Sequence, residues 1–201
     1  MQQPVVVEVL FAPKALWQRA LLAVSGSLLI ALMAQVSIPL SFTPVPITGQ
    51  TFGVLLIGAL YGSRQGALSV GLYLIEGALG LPVFAGGAKG INRLLGPTGG
   101  YLLGFIAATW VVGWLCEHGW DRRVSTAALA MGIGNTVIYL FGLPWLACFI
   151  EPKKVLVAGL IPFIPGDLIK LMLAATALPA GWKLIRHIQG LNLGYKAIKR
   201  G

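Results

Sequence analysis

The chain has 201 residues, 57% of them hydrophobic and only 10% charged, with 27 Gly and 12 Pro, and its mean hydropathy is +0.83. Soluble domains average about 45–50% apolar and about 25% charged residues, so this composition excludes a water-solvated fold and points to a lipid-solvated one. The excess of 15 Lys and Arg over 6 Asp and Glu reads, in a chain this apolar, as loop charge that orients a membrane protein and not as a nucleic-acid surface. Unbroken apolar runs exclude a transmembrane barrel, whose strands alternate over about 10 residues. At about 20 apolar residues per helix, six spans use about 120 residues and leave about 80 for loops. The expected fold class is an all-α integral membrane protein with six transmembrane helices. It is expected to form a single domain over 1–201, with short basic cytoplasmic tails at about 1–16 and 186–201.

Breaks at Pro, Gly and charge predict apolar runs near 17–38, 51–62, 65–80, 98–116, 125–147 and 166–185. The first is too long for the 7–15-residue core of a cleavable signal and lacks an A-x-A site, so it is expected to remain as a span. Ala23, Ser27 and Ala31 recur on it every four residues, a small-residue stripe where another helix can approach closely. The following loop, SIPLSFTPVPITGQT, loses three backbone donors to Pro39, Pro44 and Pro46 and is otherwise apolar, which suits a lid over a pocket. The run 51–62 would rise only about 18 Å, so it must be tilted, extended or buried among other helices.

The next loop, GLPVFAGGAKGINRLLGPTGGY, packs glycines around Lys89, Asn92 and Arg93. Glycine lets backbone approach a ligand, and an arginine fork fits a carboxylate. The G-x-x-x-x-G-K-[ST] order of a phosphate-binding loop is absent, which argues against nucleotide binding. Cys116 and Cys148 have no metal-ligand spacing and read as small apolar fillers. VLVAGLIPFIP at 155–165 is broken by Pro162 and Pro165 and is expected to be re-entrant or interfacial.

Ten basic residues (Lys14, Arg19, Arg64, Arg122, Arg123, Lys183, Arg186, Lys196, Lys199 and Arg200) fall on one side of this six-span arrangement and four (Lys89, Arg93, Lys153 and Lys154) on the other. The excess places both termini in the cytoplasm. Glu76, Asp167 and Lys170 are the ionisable residues within spans, where each is costly unless paired or wetted. Asp167 and Lys170, at i and i+3 in PGDLIK, share one helix face. Two compatible readings stand: Asp167 caps the helix that opens at Pro165 and Gly166, or Asp167 and Lys170 accept from and donate to a ligand. The Pro-rich loop, the Gly-rich loop and Asp167 all fall at the outer level, which points to one outward-facing small-molecule pocket. His118 and His187 lie on the opposite side, so a serine protease lacks its base and a histidine-held metal its ligands. No cofactor is expected.

FTPVPITGQT, GLPVFAGG, GPTGGYLLGF, GNTVIYLFGLPWL and PFIPGDLIK, in this order over roughly 20–180, resemble the BioY family, the biotin-binding substrate-specific (S) components of energy-coupling-factor transporters. The resemblance implies a six-helix S-component-like fold in the inner (plasma) membrane of a prokaryote or an organelle. It implies a protein that captures biotin from outside and delivers it with a transmembrane coupling protein (the T component) and two cytosolic ATPases (the A components). It puts the family's Asp and Lys on Asp167 and Lys170, its basic loop residue on Arg93, and its small-residue stripe on Ala23, Ser27 and Ala31, which are expected to face the coupling partner. Biotin's ureido ring offers two N–H donors and one carbonyl acceptor, matching Asp167 and Lys170, and its carboxylate needs a cation such as Arg93 or Lys89. Phe42, Phe84, Tyr101, Tyr139 and Trp145 are available as walls.

Three alternatives to this function differ in what they require. An S component for another vitamin keeps the architecture, a stand-alone facilitator calls for polar residues through the whole depth, and a lipid-modifying enzyme needs a nucleophile and base that Glu76 with Asp167 do not supply. Action as a homo-oligomer and action with coupling partners both remain open at this stage.

Overall fold

The computed structural model describes residues 3–198 apart from residue 14, with side chains to residue 188. Lys14, Lys199 and Arg200, three of the residues behind the expected orientation, lie outside the described residues. The order of elements is α1 (Val6–Phe11), α2 (Leu16–Gln35), a two-stranded antiparallel ribbon β1 (Ser37–Ile38) and β2 (Ile47–Thr48), α3 (Gln50–Ala78), α4 (Asn92–Leu95), α5 (Gly99–Glu117), α6 (Val124–Leu146), α7 (Val155–Gly159) and α8 (Ile164–Ile198). Four helical segments among the described residues are long and apolar enough to cross a membrane: Leu16–Gln35, Gly99–Glu117, Val124–Leu146 and Pro152–Ile188.

The two short runs expected at 51–62 and 65–80 are the two halves of α3, broken at Gly62 (φ 81°, ψ 179°). The halves fold back on each other. A Cβ on Gly66 would sit 3.2 Å from the Cα of Gly58, and Gln50 Nε2 donates to the Tyr73 hydroxyl at 2.5 Å. Glycine is required at the bend, since that φ/ψ is closed to other residues. The N–H and hydroxyl of Ser63, freed by the bend, both donate to Glu117 Oε1 (2.7 and 2.8 Å). This carboxylate from α5 thereby satisfies orphan donors at the start of the second half.

Close approach continues along α5, which is buried among α3 and α6. A Cβ on Gly113 would meet Ser63 N at 2.3 Å, and one on Gly58 would meet the Thr109 carbonyl at 2.7 Å. Gly142 of α6 receives the ring of Tyr101 in the same way, at 2.4 Å. Small residues on one helix thus admit the backbone or rings of the next. α2 packs on α3 and α8 on α6, and their remaining faces carry exposed Leu21, Leu28, Leu32, Ile169, Met172 and Leu173.

The bundle has two distinct ends. One carries the β ribbon, the loop 79–98, α7 and the start of α8. The other carries the bend at Gly62, the loop 118–123 and α1. The segment 3–11, expected as a tail, is strapped across that second end. Gln3 N donates to Glu117 O (2.6 Å), Arg122 donates to Pro4 O (2.9 Å), and Val5 and Val7 are buried. Behind the strap, fully buried Asp121 accepts from Trp182 Nε1 of α8 and from Arg122 Nε, whose guanidinium lies 3.4 Å over the Trp182 ring. Burial pushes the Asp121 carboxyl above the ordinary carboxylate range, against the lowering effects of the Trp182 bond and the Arg122 charge. The other expected tail, from 186, continues as helix within α8 to Ile198.

Candidate functional site

A cavity of about 720 Å³, its open mouth included, lies at the ribbon end. Three segments far apart in sequence converge on it. The Pro-rich loop contributes Val45 and Pro46, the Gly-rich loop contributes Phe84, Ala85, Ala88, Arg93 and Thr98, and the start of α8 with the turn before it contributes Phe163, Asp167 and Lys170. α5 supplies Tyr101, Leu102 and Phe105, and α6 supplies Asn135, Ile138 and Tyr139.

Local chemistry explains how each wall is fixed. Gly86 and Gly87 both have positive φ (64° and 76°), the pattern of a tight primed turn. That turn returns the chain so that Phe84 N donates to Ala88 O (3.0 Å). Phe84 is buried edge-on against Tyr73 (centroids 5.5 Å apart), over Gly77, where a Cβ would lie 2.2 Å from the ring. The interrupted segment 155–163 forms α7 and a 3-10 turn. Tyr101 OH donates to Gly159 O (2.9 Å) and Thr43 Oγ1 to Ala158 O (2.8 Å), pinning this irregular backbone against α5 and the Pro-rich loop. Such anchoring is what non-helical chain at membrane depth requires.

The polar end of the cavity is a pre-satisfied network. Lys170 Nζ donates to Thr48 O (2.8 Å), Thr51 Oγ1 (2.9 Å) and Asp167 Oδ1 (3.3 Å), which uses its three protons. Asp167 Oδ2 accepts from the Tyr139 hydroxyl. Thr48 Oγ1 donates to Gln50 Oε1 (3.0 Å), and Gln50 in turn reaches Tyr73. α8 opens at Ile164, so Asp167 lies within the first turn with its carboxylate turned to Tyr139 and Lys170. This corrects the capping reading: the carboxylate oxygens face the cavity wall, and Pro165 inside the first turn places the helix start ahead of Asp167.

Of the residues singled out in the sequence, Asp167, Lys170, Arg93, Tyr139 and Phe84 share this cavity. Arg93 has no ion pair among the described residues. Lys89 and Asn92 are exposed on the same loop, outside the lining. Phe42 points outward at 63% exposure, and Trp145 packs on Gly99 and Gly100 while donating to Gly96 O (2.9 Å). Ser27 and Ala31 of the stripe are buried and Ala23 half-buried. Ser27 Oγ contacts Val24 O (3.0 Å) and Glu76 Oε1 of α3 (3.1 Å), while Glu76 Oε2 is buried without a partner. Thr48, Gln50, Thr51 and Asn135 were not singled out. The signal for the first three is a polar cluster at the mouth of the apolar run 51–62, and for Asn135 a single amide in the middle of the run 125–147.

Comparison with known proteins bears on this site. A family model described as the BioY family matches residues 7–187. A Pyrococcus horikoshii protein named "Probable biotin transporter BioY" is 44% identical over 72% of this chain and 82% of its own length. The "Biotin transporter BioY" of Rhizobium etli is 40% identical over 77% and 87%, and that of Thermotoga maritima 42% identical over 73% and 85%. Among solved structures, the S component for biotin from an ECF-type ABC transporter superposes with a TM-score of 0.74 at 28% identity, covering 85% of this chain and 95% of that one.

Proposed function

The chain belongs to the BioY family, and we propose on that premise that it is a biotin-binding S component, a carrier and not an enzyme, whose site is the cavity at the ribbon end. The observation that carries this reading is the pairing of Asp167 and Lys170 at the closed side of the cavity with unpaired Arg93 at its mouth. A cyclic urea brings two N–H donors and one carbonyl acceptor to a carboxylate and an ammonium. The longest of Lys170's three bonds, the 3.3 Å contact with Asp167, is the one the ligand replaces: Lys170 turns to the ureido oxygen and Asp167 to a ureido N–H. Both charges therefore keep partners throughout, so binding leaves neither exposed to apolar surroundings. Phe84, Tyr101 and Tyr139 flank the ring and aliphatic chain, and Arg93 meets the carboxylate, with Lys89 and Asn92 beside it on the loop.

In this reading the two halves of α3 count as separate crossings, so α2, α3 (twice), α5, α6 and α8 make six. The ten-to-four division of basic residues sets both termini in the cytoplasm and opens the cavity outward from the inner (plasma) membrane. The whole chain acts as one transmembrane domain. Delivery requires a transmembrane T component and two cytosolic A components, docking on α2. Ala23 is open to such a partner, and Ser27 and Ala31 set the seat of α2 on α3. Equilibrium titration of the purified chain with biotin, without ATP, tests the proposal. One biotin per chain is expected, and binding of another vitamin in its place would overturn the substrate while leaving the architecture.

A further inference from the structure

Every polar side chain on the closed side of the cavity is bonded to protein except one. Lys170, Asp167, Tyr139, Thr48, Gln50 and Thr51 form the network described above. The side-chain amide of Asn135 lines the same wall and makes no hydrogen bond among the described residues. It sits one helical turn before Tyr139 on α6, so both project from the same face. Asn135 and Lys170 also border a smaller adjoining space of about 210 Å³, which is otherwise bounded mainly by Phe52, Leu55, Met131, Leu171 and Ala174. That side offers the amide no further polar partner beyond Thr51 and Lys170, and the Lys170 protons are engaged. Asn135 is half-buried, so its amide, unengaged by protein, is presented to the cavity with both its donor and its acceptor available to a ligand.

We propose that Asn135 is a specificity-determining contact, its side-chain oxygen accepting the second N–H of the ligand's cyclic urea. The assignment rests on the biotin reading and completes it. Lys170 takes the carbonyl, Asp167 takes the N–H on one side, and Asn135 takes the N–H on the other. A cyclic urea then meets one partner for each of its three polar atoms, whereas a ring with a single N–H leaves one of these acceptors unmatched.

The test measures dissociation constants for biotin and for two cyclic carbamate analogues, in each of which a ring oxygen replaces one of the two N–H groups. Wild type and Asn135→Leu are compared by titration, with thermal unfolding of the ligand-free proteins alongside. Asn135→Leu is expected to bind biotin roughly three- to tenfold more weakly, the effect of one neutral hydrogen bond. Its ligand-free unfolding temperature should change little, because the substitution removes no hydrogen bond within the protein. One of the two analogues should bind wild type more weakly than biotin and bind the variant no more weakly than biotin. If the leucine variant does not fold, Asn135→Ala is used in the same comparison. Unchanged biotin affinity in a folded variant, or a variant that discriminates against both analogues as wild type does, overturns the role of Asn135 while leaving biotin as substrate. Wild type that binds no biotin overturns the substrate reading and this inference together.

Discussion

Replacement of Lys170 by Met is expected to destabilise the ligand-free chain more than Asp167→Asn does, and the double variant less than Lys170→Met alone. Lys170→Met leaves the Asp167 carboxylate with Tyr139 as its remaining partner and orphans the Thr48 carbonyl. Removing one half of a fully buried pair costs about 3–5 kcal/mol. The two side chains keep 21% and 11% exposure in the cavity, which brings the expected cost to about 2 kcal/mol, or about 4–8 °C in a chain of this size. Asp167→Asn leaves Lys170 with Thr48 and Thr51 and should cost about 1 kcal/mol. The double variant buries no unpaired charge. On binding, each single substitution removes a charge-assisted hydrogen bond of about 1.5–3 kcal/mol, hence about ten- to a hundredfold in dissociation constant, and the double variant should lose less than the sum. Thermal unfolding in detergent with and without biotin, and calorimetric titration, give both quantities. A double variant destabilised by the full sum, or a folded Asp167→Asn with unchanged affinity, would refute the paired arrangement.

Three further outcomes are expected. Gly62→Ala forces a backbone conformation open only to glycine and puts a Cβ 2.7 Å from Glu117 Oε1; unfolding should show a loss of about 2 kcal/mol or more, and a silent substitution would contradict the bend. Ser27→Leu fills a fully buried position and breaks the contact with Glu76; stability should fall by about 1–3 kcal/mol, whereas lost uptake with stability and binding intact would assign Ser27 to partner docking. Burial raises the Asp121 carboxyl, so the folded chain holds that proton more tightly than the unfolded chain. The stability this lends is full below the ordinary carboxylate value of about 4 and is lost as pH rises through the folded value. The unfolding temperature of wild type relative to Asp121→Asn should therefore decline as pH rises from about 4, and a rising difference would show that the Arg122 and Trp182 contacts outweigh burial.

Much of this arrangement could be read from residue order because lipid solvation makes hydrophobic runs long and their interruptions meaningful. The runs at 98–116 and 125–147 correspond to α5 and α6 within two residues at either end. The meeting of the Pro-rich loop, the Gly-rich loop and Asp167 followed from counting spans, which fixes the end of the bundle each loop occupies. What escaped the reading depends on side-chain direction. Whether Ser27 faces a partner or α3 turns on the rotation of α2, and an almost uniformly apolar helix carries no periodicity to set that rotation. The capping role suggested for Asp167 failed for a related reason: Pro165 is accommodated inside the first turn, which moves the helix start to Ile164 and frees the carboxylate. Thr48 and Thr51 became visible only through the distances that tie them to Lys170.

The one-residue bend at Gly62 has a mechanical consequence for the cavity at the far end of the bundle. Gln50 at the start of α3 and Tyr73 in the later part of its second half are joined by a hydrogen bond. The halves are also clamped at the bend by Glu117 and held along α5 by glycine contacts. Fastened at both ends, α3 and α5 form a frame whose spreading would break these contacts. Entry and release then fall to what is hung on that frame: the ribbon loop, the glycine loop and the head of α8, each secured at the cavity by a few hydrogen bonds. The rim is therefore the part of the cavity whose displacement breaks the fewest contacts of the bundle.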